Sequence, residues 1–168
     1  MGRRLRFRGE SRHKVDSKGR VSIPASFRRV LEAGDPDWVE GLNPNLVIVY
    51  GNTRLPYIEC YTVEEIAGIA ARIEAMKHGP RRQALEQLYS SFSANAAVDE
   101  TGRIVLNAKL RERFGIGAEA SVVASLNKFQ IWDAERYDQD KLAKTEAMFE
   151  DLPEDFDPLQ WLDEEEDA

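Results

Sequence analysis

The sequence holds a single cysteine, Cys60, and only two histidines, His13 and His78. A lone cysteine forms no internal disulfide, so the fold must stand on packing and a reducing compartment is expected. The histidines and the cysteine lack metal-ligand spacing. No phosphate-binding glycine loop, nucleophile elbow or dinucleotide fingerprint occurs. No metal, no cofactor and no enzymatic activity are therefore expected. No apolar run reaches the roughly 18 residues that mark a membrane helix. The basic segment Met1 to Arg8 is followed by no apolar stretch, so it is not read as a signal peptide. The expectation is a cytoplasmic protein without membrane contact.

What the chain does have is a strong charge asymmetry. Its 168 residues, 42% of them hydrophobic, suit one domain or two small intertwined halves. Net charge is −7, which taken alone argues against nucleic acid. Residues 1–30 nevertheless carry ten Arg and Lys against Glu10 and Asp16, and residues 133–168 carry fifteen Asp and Glu against Arg136, Lys141 and Lys144. The basic end is a candidate polyanion footprint; the bland alternative is a solvated surface. The acidic end either competes with polyanions for the basic one or keeps the protein soluble.

The chain also contains one stretch twice. Asp16-Ser17-Lys18-Gly19-Arg20-Val21-Ser22-Ile23 recurs as Asp99-Glu100-Thr101-Gly102-Arg103-Ile104-Val105-Leu106, at a constant offset of 83 that also relates Arg28 to Arg111. Asp first and Gly fourth suit a tight turn, in which the carboxylate bonds nearby backbone and Gly accepts positive φ. The alternating apolar residues that follow start a strand with one buried face. Each copy thus puts an arginine on a hairpin tip. Two copies are too few for a solenoid, so a pseudo-twofold domain is expected in which each half completes the other.

Read in order, residues 5–9 and His13–Val15 are strand-like and Pro24 opens a short helix ending at Gly34. Residues 34–45 form a loop, and Leu46–Tyr50 and Tyr57–Tyr61 form a hairpin. Thr62 and Glu65 make a capping box for a helix carrying Ile66, Ile69, Ile73 and Met76. A second helix covers 81–92. After the second turn, Asn107 caps a helix with Leu110 and Phe114. Ser121–Leu126 and Phe129–Trp132 are strands, and a helix spans roughly 134–149. The pattern is ββαββα, twice, an α+β chain. It divides into a repeat over 5–62, a helical connector over 63–92, a second repeat over 93–149 and an acidic tail without structure over 150–168.

These residues resemble the MraZ family of bacterial transcriptional regulators associated with the division and cell wall gene cluster. The carriers are Phe7-Arg8-Gly9, the run His13 to Pro24 with Phe27-Arg28, Tyr57 to Tyr61, Asp99 to Ile104 with Leu110-Arg111, and Phe129-Gln130-Ile131-Trp132. The resemblance runs from about residue 5 to 145. It implies an AbrB-like, double-split β-barrel built from two tandem SpoVT-AbrB-type units with swapped hairpins. It also implies sequence-specific binding to short tandem repeats in promoter DNA through the arginines of the turns, ring-like homo-oligomers, and a cytoplasmic, nucleoid-associated location. Asn107 stands where the family usually has Pro, the 34–45 loop is longer than typical, and the acidic tail is an extension. None of these touches Arg20 or Arg103.

The candidate DNA-binding residues are therefore Arg20, Arg103, Lys18, Lys14, Arg12 and Arg8, with Asp16, Gly19, Asp99 and Gly102 supporting the turns. An arginine presents a planar fork able to grip guanine or phosphate; against this, each arginine can serve as a staple to the Asp of its own turn. Lys14, Arg12 and Arg8 suit phosphate contacts, which give affinity and salt dependence rather than sequence choice. Arg28 and Arg111 read as structural, bonding across the pseudo-twofold axis. His13 reads as a strand residue near the basic face, and Phe129–Trp132 as core and subunit contact. The rival reading of the whole is a self-assembly β module whose arginine turns contact protein.

Overall fold

The computed structural model, which describes residues 5–166, has eight strands, built on β-branched or aromatic residues except at Glu10–Lys14 and Ser93–Ala97. These are β1 (Glu10–Lys14), β2 (Arg20–Ser22), β3 (Asn45–Val49), β4 (Tyr57–Tyr61), β5 (Ser93–Ala97), β6 (Arg103–Val105), β7 (Glu119–Ser125) and β8 (Lys128–Asp133). Every pairing is antiparallel. One sheet has the order β1-β7-β8-β4-β3-β5, and β2 and β6 form a separate two-stranded ribbon. The fold is α+β with a mostly antiparallel sheet.

The strand partners cross between the two copies of the repeat. β1 pairs with β7, β5 pairs with β3, and the two hairpins β3–β4 and β7–β8 join through β4 and β8. In the ribbon, Val21 faces Ile104, Arg20 faces Val105 and Ser22 faces Arg103. These registers are the sequence offset of 83 seen in space, because each residue lies opposite its own counterpart or that counterpart's neighbour two places along.

The helices follow local signals. α1 (Ala25–Ala33) starts after Pro24 and buries Phe27, Val30 and Leu31. α2 (Val63–Glu74) is capped by Thr62, whose Oγ1 accepts from the Glu65 amide at 3.0 Å; the Glu65 carboxylate also takes a hydrogen bond from Asn127 Nδ2 at 2.8 Å. α3 (Pro80–Glu86) passes into a π-helical turn over Gln87–Ser91, so the single helix expected over 81–92 changes its winding halfway. α4 (Ala108–Arg113) is capped by Asn107, whose Oδ1 accepts from the Leu110 amide at 2.9 Å. The strand expected at residues 5–9 is reduced to one bridge, Phe7 to Leu126. Gly9, at φ 95°, breaks the extended chain there, and β1 begins only at Glu10.

The core lies between the sheet and the ribbon with its helices. Phe7, Phe27 and Phe129 meet with ring centroids 5.2–5.3 Å apart, among Val21, Leu31, Ile104, Leu106 and Ile131. A smaller cluster covers the opposite face of the sheet, where Val47, Val49 and Tyr61 pack with Ile66, Ile69 and Tyr89. Cover on both faces explains why Leu46 to Val49 is a continuous apolar run instead of an alternating one.

Two compact units divide the chain, one ending at Glu135 and the other starting at Arg136. α5 (Ala134–Arg136) continues through a π-helical turn, Tyr137–Leu142, into α6 (Ala143–Glu150). In the acidic stretch, for which the sequence reading expected no structure, α7 (Gln160–Glu166) is helical. Within that unit Trp161 stacks near Phe149 and Phe156, with centroids at 5.6 and 5.4 Å.

Candidate nucleic-acid interface

Both repeated turns are built the same way. In the first, the Gly19 amide donates to the Asp16 carbonyl at 2.9 Å, and Asp16 Oδ1 accepts from the amides of Lys18 (3.0 Å) and Arg20 (2.9 Å). In the second, Gly102 donates to the Asp99 carbonyl at 3.0 Å, and Asp99 Oδ1 accepts from the amides of Thr101 and Arg103, both at 2.9 Å. Gly19 and Gly102 have φ of 81° and 80°, left-handed backbone that favours glycine. Each glycine carbonyl then bonds to the other half: Leu106 donates to Gly19 and Ile23 to Gly102, both at 2.8 Å. The turns are thus fixed to each other as well as folded.

Two further arginines close over these glycines. Arg28 lies against Gly102 and Arg111 against Gly19, each reaching the turn of the opposite half. Arg111 Nε also donates to the Leu106 carbonyl at 3.0 Å.

The tips differ in how they hold their arginines. Arg20 Nε donates straight to Asp16 Oδ2 at 2.5 Å. Arg103 Nε donates instead to the Thr101 hydroxyl at 2.8 Å, and that hydroxyl donates to Asp99 Oδ1 at 2.8 Å. The Asp99 carboxylate stands 3.8 Å from Arg103 Nε. Arg103 Nη1 meanwhile lies 3.8 Å from Asp16 Oδ2, so both arginines converge on Asp16. The Arg20 amide, the Arg20 guanidinium and the Lys18 amide together hold the Asp16 carboxyl down to about 2, against a smaller upward push from desolvation. Asp99 is lowered too, first by the Arg103 amide and then by the Thr101 hydroxyl. Both carboxylates are therefore charged at neutral pH. The side chains of Arg20 and Arg103 keep 34% and 31% of their surface exposed.

The remaining candidates lie on the approach to the first tip. Lys18 is exposed at its apex. Arg12 and Lys14 occupy alternate exposed positions of β1, an edge strand that runs directly into the turn. Arg12 Nε is 3.8 Å from Glu119 on β7. Arg8 is exposed beyond the far end of β1, so the fold does not gather it with the tips. His13 bonds to Ser11, and partial burial lowers its pKa. Sequence reasoning paired each arginine only with its own aspartate. It missed the reach of Arg103 to Asp16, which the register of the β2–β6 ribbon brings about and no local signal announces.

Among the described residues no group of His, Cys, Asp and Glu is arranged to hold a metal ion, and no helix is long and apolar enough to cross a membrane. What the fold and the turns define is an α+β chain of two interleaved halves presenting a pair of anchored, part-exposed arginines. A family model described as "MraZ protein, putative antitoxin-like" matches residues 6–49 and 93–156, and the chain belongs to the MraZ family. It is 56% identical over 159 residues to the "Transcriptional regulator MraZ" of Ruegeria pomeroyi, covering 94% of this chain and 95% of that one. It is 47% identical over 166 residues to the protein of that name from Cereibacter sphaeroides (94% and 96% covered), and 30% identical over 149 residues to that from Desulforamulus reducens (88% and 95%). The name these relatives carry is that of a regulator, not an enzyme.

Proposed function

We propose that the chain is a cytoplasmic, nucleoid-associated transcriptional regulator that binds double-stranded promoter DNA by sequence, reading short tandem repeats with Arg20 and Arg103. The observation that carries this is the convergence of the two arginines on Asp16, which aims two cationic forks from one ribbon. A fork whose Nε is already engaged keeps its outer edge for a guanine or a phosphate, at little further entropic cost. Lys18, Lys14, Arg12 and Arg8 supply phosphate contacts and salt dependence. We take the fold as the AbrB-like, double-split barrel with swapped hairpins, supported by strand partners that cross between the halves. One chain offers two tips, so a ring-like homo-oligomer would align several pairs on tandem repeats.

The contacts of Arg20 and Arg103 with their own carboxylates also favour a second reading, in which the turns are staples of a self-assembly module. An electrophoretic shift of the DNA upstream of the chain's own reading frame against scrambled DNA, at two salt concentrations, separates the two. Specific retardation is expected. Arg20→Ala or Arg103→Ala should each weaken it by the roughly 1–3 kcal/mol of one bidentate contact, with unchanged circular dichroism. Unchanged binding in both variants would leave the staple reading.

A further inference from the structure

We infer that Thr101 divides the labour between the two tips, making Arg20 the arginine that discriminates base sequence and Arg103 an adaptable one that supplies charge. The inference rests on DNA binding through the two turns as proposed above and narrows it: of the two arginines only Arg20 reads a base edge, and what Arg103→Ala removes is a charge contact.

Arg20 is anchored in two places. Its amide and its Nε bond the two oxygens of one carboxylate, and that carboxylate is itself held by the Lys18 amide. A charge-assisted bond of this kind is about twice as strong as a neutral one, so the outer edge of the Arg20 guanidinium has a fixed direction. Bidentate recognition of a base edge needs such a fixed fork.

Arg103 is held differently. Its amide bonds Asp99 as the Arg20 amide bonds Asp16, but its Nε bonds a neutral hydroxyl, and the distances from its guanidinium to Asp99 and Asp16, both 3.8 Å, lie outside hydrogen-bond range. The cause is one residue. Thr101 occupies the place of Lys18 in the repeat, and its Oγ1 sits between Asp99 Oδ1 and Arg103 Nε, 2.8 Å from each. Lys18 has no group that can take this position, so the first tip closes directly. With two carboxylates near and neither bonded directly to it, the Arg103 guanidinium is tied only through the neutral hydroxyl and can turn between them, which suits a contact that follows the phosphate backbone.

Charge-conserving variants separate a fork from a charge. Preference for the chain's own upstream DNA over scrambled DNA is measured across a salt series. Arg20→Lys should lower that preference about tenfold, within the range for one lost bidentate contact, with the salt slope unchanged. Arg103→Lys should leave the preference within about threefold on the same scale. Thr101→Val removes the hydroxyl and lets Arg103 close onto Asp99. In that background Arg103→Lys should cost as much preference as Arg20→Lys does, whereas in a Thr101→Ser background, where the hydroxyl is kept, it should stay mild. Equal losses from Arg20→Lys and Arg103→Lys, or an Arg103→Lys effect that Thr101→Val does not change, would overturn the division of labour while leaving DNA binding in place. A wild-type protein that binds both DNAs alike would overturn the DNA reading, and this inference with it.

Discussion

Val21 and Ile104 face each other in the β2–β6 ribbon, and each is the other's counterpart in the sequence repeat. The local twofold axis therefore passes between them, and both are fully buried or nearly so. Everything on the ribbon comes in related pairs around that point, including the two glycines, the two aspartates and the arginines that close over the turns. Differences between the members of a pair therefore stand out.

The glycines give the first prediction. Gly19 and Gly102 have nearly equal φ, so alanine at either should cost the roughly 1–2 kcal/mol of a left-handed residue. Their surroundings differ. A Cβ on Gly19 would overlap the backbone carbonyl of Leu106, whereas a Cβ on Gly102 would meet the end of the Arg28 side chain, which can swing away. Gly19→Ala should be clearly the more destabilising in urea unfolding. A Gly102→Ala variant as damaged as Gly19→Ala would contradict the difference in packing.

The second prediction concerns acid. Asp16 titrates near 2 in the fold against an ordinary value of 3.8, and Asp99 is lowered in the same sense. Groups so depressed stabilise the folded state above the ordinary value, and the contribution disappears as pH falls from about 3.8 to about 2. Unfolding midpoints followed through that window should drop, and Asp16→Asn should flatten the drop. An Asp16→Asn protein with the wild-type slope between these pH values would show that the turn carboxylate does not govern it.

Core packing supplies the third. Phe129 is wholly buried, and its ring lies 5.2 Å from those of both Phe7 and Phe27. Phe129→Ala should cost roughly 3–5 kcal/mol, the usual range for a buried aromatic lost to a cavity. Because the trio joins the segment before β1, α1 and β8, the loss should appear as one cooperative transition at lower denaturant. A cost under about 1 kcal/mol, the level of a surface change, would mean that the site collapses without a cavity.

Assembly is the fourth. β1 and β5 are the two edges of the six-stranded sheet, and edge strands leave backbone groups open to another chain. Multi-angle light scattering at micromolar concentration should give a mass several times that of one chain. A mass equal to a single chain would remove the ring-like homo-oligomer from the proposal.

Much of this was legible in the sequence, for local reasons. The turns follow from Asp and Gly at fixed spacing, the caps at Thr62 and Asn107 from side chains that accept backbone amides, and the two hairpins from their apolar runs. The constant offset pointed to a twofold. Strand partners were not legible, because a strand's own residues fix which face it buries and not which distant strand lies beside it. Nothing local in Glu10–Lys14 points to β7. Residues 5–9 alternate well enough to read as a strand, yet one left-handed glycine was enough to end it. Lys128 falls between the strands read at Ser121–Leu126 and Phe129–Trp132, but it belongs to β8, where it faces Tyr61 of β4 and its Nζ bonds the buried Glu59 carboxylate at 3.0 Å. The reach of Arg103 to Asp16 depends on the ribbon register, and so appears only once both halves are in place.

The exchange of strands between the halves also sets an order of events during synthesis. As the chain leaves the ribosome, β3 and β4 are complete long before Ser93–Ala97, which covers the outer side of β3, has been made. β1 emerges first of all and waits longest, since its partner β7 ends at Ser125. The β3–β4 hairpin can pair early, but the first half otherwise spends most of translation with open sheet edges and an unfilled core, because the partners of β1 and β2 and the other partner of β4 all lie in the second half. Nascent chains on neighbouring ribosomes offer each other the same missing strands, so crowding on one message favours intermolecular pairing before any chain is finished.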